Sequence, residues 1–324
     1  MKITILTYLE DEKAKAVDPV VRQVATVLRK LRHKVSVLPV HGDLDRMQRG
    51  LRRRKPDLVF NMMEMFGDDV CADFQVAAVM DLMKIRYTGS GPGEMYLTQD
   101  KVLSKKVLAF EGIQFPRFAV FSTQANLETG GNLRLPLFVK PSRMDASIGI
   151  GKKSLVHDTL TLMKRVVAIH DELHDAALAE EYIEGREFYV GVLGSEELQA
   201  LPPIEMDFSG LPEGAPHVAD AAAKWDESSK EYKGTRSVIA QINDELRARL
   251  QKVSIDAYRA LRVKDYGRVD LRLTDTGEIY VLEVNASCYL EKSSEFAAAA
   301  KAAGIGFPQL IQRIVDSAMA RYGK

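Results

Sequence analysis

The stretch 266–285, YGRVDLRLTDTGEIYVLEVN, gathers the residues best suited to metal and phosphate chemistry. Thr276-Gly277 separates two alternating segments and reads as the turn of a β-hairpin. A two-residue loop there sets Asp275 against Glu278 and, further out, Asp270 against Glu283 and Arg268 against Asn285. Successive side chains of a strand point to opposite faces. Val269, Leu271, Leu273, Tyr280, Leu282 and Val284 therefore form one apolar face, and the other brings Asp270, Glu283 and Asn285 together with Arg268 alongside. Two carboxylates and an amide oxygen are hard ligands of the kind Mg²⁺ takes when it also holds nucleotide phosphates. A cation also removes the repulsion between acids so close. The plainer alternative is a solvated polar face on an ordinary amphipathic hairpin, and another loop length would shift the pairing.

Two lysines stand where a phosphate could be held. Lys140 ends the apolar run LFVKP and precedes the small-residue loop DASIG, and a lysine at such a strand end can act as a point charge on phosphate. Lys101 opens a helix after the Gly-rich turn YTGSGPG. Taken singly, each lysine reads more readily as an ordinary surface residue. Residues 180–187, EEYIEGRE, lead from a strand into a turn. There, backbone groups can read an adenine edge and a carboxylate can accept from ribose hydroxyls; an acidic connector between lobes is the other reading. Cys288 has no base or cation nearby in sequence to activate its thiol and reads as pocket wall. Tyr87, Met62, Met63 and Met65 read as core or lining, and His41, His157, His170 and His174 lack metal-ligand spacing.

These groups need a scaffold, and the chain is long enough for several packed layers. It has 324 residues, 46% hydrophobic and 28% charged, the balance of an ordinary globular protein. Lys+Arg and Asp+Glu both number 45, so a basic face for nucleic acid is not indicated. No apolar run approaches the ~20 residues a membrane helix needs, and the first residues do not read as a signal peptide. Two cysteines without a CxxC pair argue against a disulfide scaffold and fit a reducing cytoplasm. Strands at 2–7, 34–40 and 57–61, with a helix over 20–31, give the pattern of a doubly wound parallel sheet, whose ligands sit beyond the strands' carboxyl ends. A helix is expected over 98–111, strands at 117–121, 136–140 and 178–183, a long mobile loop over 207–236, a helix over 244–261 and a terminal helical region.

In chain order, FNMMEMFGDD, YTGSG, Gln99-Asp100-Lys101, FVKPSRMDASIG, EEYIEGRE, AAKW, GRVDLR, LEVN and then Ser293-Ser294 resemble the landmarks of the ATP-grasp superfamily, specifically of D-alanine–D-alanine ligase and its relatives, across residues 55–305. The resemblance implies an ATP-grasp fold, α/β and α+β: a doubly wound N-terminal domain over 1–95 and two α+β lobes, 96–183 and 184–324, clasping ATP. It implies that Lys101, Lys140 and Ser147 hold ATP phosphates, that Glu180, Glu181 and Ile183 form the adenine connector, and that Glu187 holds the ribose. Asp270, Glu283 and Asn285 match the ligands of Mg²⁺, two ions by family pattern with Mn²⁺ as an alternative, and Arg268 matches the arginine that stabilises the tetrahedral intermediate. Lys224 and Ser294 match residues holding the carboxylate of the attacking amino acid. Relatives are commonly dimers, which makes a homodimer the analogy here.

The departures from the family cluster around the acceptor pockets. The loop after the first strand, TYLEDEKA, lacks the family's glycines and its Ser-x-Glu element. Ala146 replaces a serine, Trp225 a tyrosine, and Glu64 stands where a histidine normally faces the first substrate. The Pro-Gly after the metal asparagine has become Ser287-Cys288-Tyr289-Leu290. The expectation is an ATP-dependent carboxylate–amine ligase, acting on small molecules through an acyl phosphate, with altered substrate choice. D-Alanine–D-alanine ligase proper and a non-catalytic ATP-binding scaffold are the alternatives.

Overall fold

The first strand, Lys2–Tyr8, is buried along nearly its whole length, so it must be paired on both edges and covered on both faces. It pairs in parallel with Lys34–Val40 on one side and Leu58–Met62 on the other. The helix Pro19–Lys30 lays Val20, Val21, Val24 and Leu28 over Ile3, Ile5, Leu58 and Phe60. Helices Leu44–Arg54 and Asp73–Leu82 cover the opposite face through Met47, Leu51, Val76 and Met80. This is the doubly wound sheet expected, and its carboxyl edge presents Tyr8 and the Met62–Glu64 turn to a cavity. The computed structural model describes residues 1–14, 16–124, 127–129, 132–144, 147–211, 217–218, 226 and 228–323.

The second sheet is five-stranded and antiparallel, ordered Leu127–Thr129, Phe118–Phe121, Ala177–Glu181, Leu137–Pro141, Leu155–Val156. Helix Thr159–Leu173, not among the elements read from sequence, seals one face through Val166 and Ile169. The third sheet is six-stranded, with Arg186–Leu193 and Tyr266–Leu273 paired at its centre. Helix Asp244–Ala260 packs Leu250, Ala257 and Tyr258 against its Val269–Leu271–Val281 face. The opposite face carries the polar set, with helix Glu295–Ala302 packed on part of it, and helix Phe307–Tyr322 returns to pack on Pro19–Lys30. Among the described residues no helix is long and apolar enough to cross a membrane.

Three expectations change. The helix over 98–111 is two helices, Pro92–Gln99 and Lys101–Phe110, because Asp100 takes an extended ψ of 94° and caps the second through Val102 and Leu103 N–H. Of the polar stretch 207–236, residues 212–216, 219–225 and 227 lie outside the described residues, and the described part includes helix Lys230–Gly234 and the start of strand Arg236–Ile239. The hairpin turn holds Asp275, Thr276 and Gly277, closed by Thr274 N–H on Glu278 C=O at 3.0 Å, with Gly277 at φ +85°. Thr274, not Asp275, therefore sits opposite Glu278. A bulge between Asp270/Leu271 and the partner strand then restores the outer register. Ile279 and Val281 take the core face, and Tyr280 and Leu282 leave it. Leu282 lines the cavity instead.

Candidate active site

A cavity of about 1250 Å³ opens between the three sheets. On its floor Asp270 and Glu283 are direct register partners, as are Arg268 and Asn285, so the expected quartet is brought together. Parity carries further than the hairpin. Arg268, Asp270 and Arg272 alternate along one strand, and Glu187 and Tyr189 answer them from the next. Arg268 forks onto Asp270 at 2.7 and 2.9 Å and stacks 4.4 Å from the Tyr189 ring. Burial works against the guanidinium charge, but Asp270 outweighs it. Asn285 Nδ2 lies 3.4 Å from Asp270 Oδ2, which turns the amide oxygen away from that acid. Two carboxylates and an amide oxygen on one sheet face are a donor set that fits Mg²⁺.

Across the cavity, Lys101 and Lys140 are both nearly buried and both line it. Lys101 opens its helix behind the Asp100 cap, and its Nζ donates to Met144 C=O at 2.8 Å. Glu180 also lines the cavity, and its carboxylate is held between two lysines. Its Oε1 lies 2.7 Å from Lys105 Nζ and its Oε2 2.9 Å from Lys140 Nζ. Burial would push this carboxyl up, yet the two ammonium groups hold it below the usual carboxylate range. Lys105 is fully buried, and desolvation lowers its pKa against the pull of Glu180. Glu181, Tyr182 and Ile183 line the cavity, and Glu181 Oε1 accepts from Arg134 N–H. Ser147 is a left-handed residue at φ +61° on the same wall. Glu187 is met on both oxygens within the protein, by Tyr189 O–H at 2.9 Å and Arg272 at 2.5 Å.

At the far end, Ser294 caps helix Glu295–Ala302, accepting from Ala297 N–H, with its hydroxyl on the cavity wall. Glu64 opens onto the same space and accepts from Tyr8 O–H at 3.2 Å. Its crowded surroundings push the carboxyl up, the Tyr8 bond opposes this, and the Asp18 charge adds to it. Lys224, Trp225 and Ala146 lie outside the described residues. Residues 106–316 match the family described as D-ala D-ala ligase C-terminus.

The chain belongs to the D-alanine–D-alanine ligase family.

It is 30% identical to a D-alanine–D-alanine ligase of Aquifex aeolicus over 91% of this chain and 92% of that one. It is also 34% identical to the uncharacterized protein y4sG of Sinorhizobium fredii, over 83% of this chain and 76% of the relative. In fold, it matches a D-alanine–D-alanine ligase of Bacillus anthracis, crystallised with ATP, at TM-score 0.75 and 22% identity, covering 99% of this chain and 98% of that one.

As a member of this ligase family, the chain shows four cavity or second-layer residues that sequence reasoning missed: Lys105, Tyr189, Arg272 and Leu282. Tyr189 and Arg272 share strand parity with Glu187 and Asp270, so extending the alternation would have found them. Leu282 needed the bulge, and Lys105 lies one helical turn from Lys101. Cys288 lines the cavity, but burial pushes its thiol up to about 12, leaving almost no thiolate near neutral pH. Iodoacetamide at pH 8 is therefore expected to modify Cys71, which is partly exposed, and to spare Cys288 in the native protein. Peptide mass mapping reads the result, and faster labelling of Cys288 would contradict the burial argument.

Proposed function

We propose that this chain is an ATP-dependent carboxylate–amine ligase that joins two small amino-acid-like substrates through an acyl phosphate. The observation that carries this reading is the pairing of Asp270 with Glu283, beside Arg268 and Asn285, on the floor of the cavity whose wall holds Lys101 and Lys140. In this reading residues 1–95 form the substrate-facing domain, and 96–183 and 184–324 form the lobes that close on ATP. Lys101, Lys140 and Ser147 would hold the phosphates. The backbone of residues 181–183 would border the adenine, and Glu187 the ribose. Asp270, Glu283 and Asn285 would hold Mg²⁺, which when bound spreads the charge of the transferring phosphoryl group; two ions, or Mn²⁺ in their place, fit the same donors.

A substrate carboxylate oxygen bonds to the γ-phosphorus as the bond to ADP breaks. The amine nitrogen of the second substrate then bonds to the acyl carbon and gives up a proton, and the acyl C–O bond breaks as phosphate leaves with its electron pair. Arg268, held by Asp270 and Tyr189, would meet the oxyanion of that second step. Ser294 at the helix N-terminus, with Lys224, would hold the attacking substrate's carboxylate. A reducing cytoplasm fits the two free cysteines, and the homodimer analogy is open to sedimentation.

ADP release with Mg²⁺-ATP across amino-acid pairs, with products identified by mass spectrometry, tests the reading. Turnover with an amide product is expected. D-Alanine alone as the best pair would return the chain to D-alanine–D-alanine ligase proper, and ATP binding without ADP release from any pair would favour the scaffold.

A further inference from the structure

The end of the cavity remote from Lys101 and Lys140 has its own chemistry. The walls supplied there by the N-terminal domain and by residues 286–295 carry Glu64, Glu291 and Glu295, and no basic side chain among their described lining residues. Three carboxylates in and behind these walls are held by neutral donors. Glu64 accepts from Tyr8 O–H at 3.2 Å. Asp18, behind the wall, accepts from Tyr289 O–H at 3.2 Å and from Val20 N–H, where it caps helix Pro19–Lys30. Glu291 accepts from Gln23 at 2.7 Å and from Ser293 N–H. Among the described residues, no lysine, arginine or histidine nitrogen lies within 4.0 Å of any of the three.

The Asp18 charge is met in part by its helix N-terminus. Glu64 has no such relief, and its carboxyl is pushed up by burial and by Asp18. This wall borders the same cavity that holds Arg268 and the paired acids, so a substrate bound there meets it. An amino acid whose carboxylate lies toward Arg268 presents one ammonium group to this wall, fewer charges than the carboxylates in and behind it. A second cationic group on the substrate would meet the remainder.

We propose that one of the two substrates carries a positively charged group beyond its α-ammonium, as diamino and guanidino acids do, and that Glu64, oriented by Tyr8 and flanked by Tyr289, receives it. The inference rests on the ligase reading and names the substrate class of that site. The two phenols fit the stem of such a side chain, since an aromatic wall accommodates both its methylenes and its charge.

The test uses the full chain with Mg²⁺-ATP and follows ADP release. Lysine is compared with norleucine, and arginine with citrulline, in both chiralities and against a panel of amine acceptors. The charged member of at least one pair is expected to show kcat/KM higher by about tenfold or more, because a site built for a polar group discriminates against analogues lacking it. Glu64→Gln is expected to bring that ratio toward one, with KM carrying the change, and Tyr8→Phe to do so partway. Equal or reversed preference in the unmodified protein overturns the proposal without needing either variant to fold. A preference that survives Glu64→Gln also overturns it. Turnover with neutral acids only sinks this inference and leaves the ligase reading standing; no ADP release from any acid sinks both.

Discussion

Glutamine in place of Glu283 is expected to lower turnover by on the order of 10³-fold or more while the protein stays folded. The substitution keeps the side chain's size and removes its charge. Glu283 is the direct register partner of Asp270 and is only half-buried, so no packed core collapses around it. Without a divalent ion the two acids repel, which offsets the attraction between Glu283 and the buried Lys105, so the amide should leave thermal stability nearly unchanged. Activity should therefore fall while the melting temperature does not. Asp270→Asn is the instructive contrast. It removes the charge from the fork that holds Arg268, and breaking a buried pair costs about 3–5 kcal/mol, so stability should fall as well. ADP release at saturating Mg²⁺, read beside a thermal melt, checks both. A Glu283→Gln enzyme keeping a tenth or more of its turnover would remove that carboxylate from the proposed metal site.

Glu180→Gln is expected to destabilise the protein by about 3–5 kcal/mol, because it leaves the Lys105 and Lys140 ammonium groups facing each other without their counter-charge. Glu180, Lys105 and Lys140 are 3%, 1% and 5% exposed, so water cannot take the carboxylate's place. ATP should restore part of the loss, since its phosphates offer Lys140 another anion and ligand binding favours the folded state. The pH dependence follows from the direction of the shift. The Glu180 carboxyl is held below its ordinary range in the folded protein, so its contribution is complete above that range and is lost as pH falls through the lowered value. Lys105 shifts the other boundary: its lowered pKa means that stability rises with pH between the folded and unfolded values, on the alkaline side. Denaturant titrations between pH 3 and 7 should show a shallower acid slope in Glu180→Gln than in the unmodified chain. An identical slope would mean that Glu180 is not the counter-ion.

Strand alternation put Asp270, Glu283, Arg268 and Asn285 on one face, because side-chain direction in a strand has period two; their direct pairing was read from a two-residue loop the hairpin does not have, and it holds because the bulge offsets the longer turn. The doubly wound start was legible for a similar reason, since fully apolar strands separated by a helical pattern have few ways to be covered. Local chemistry also fixed the break at Asp100, though the periodic run through it hid the cap. What the sequence could not decide was anything set by contact across long separations. The bulge that turns Leu282 into the cavity answers to pairing with the neighbouring strand. Lys105 and Glu180, 75 positions apart, meet only because the helix Lys101–Phe110 packs beside the strand Ala177–Glu181. The acidic end of the cavity likewise draws Tyr8 and Asp18 from the start of the chain and Tyr289 and Glu291 from near its finish. Period and propensity act over a few residues. Charge and burial act through space, so the partners of a buried carboxylate are settled only when the chain has folded.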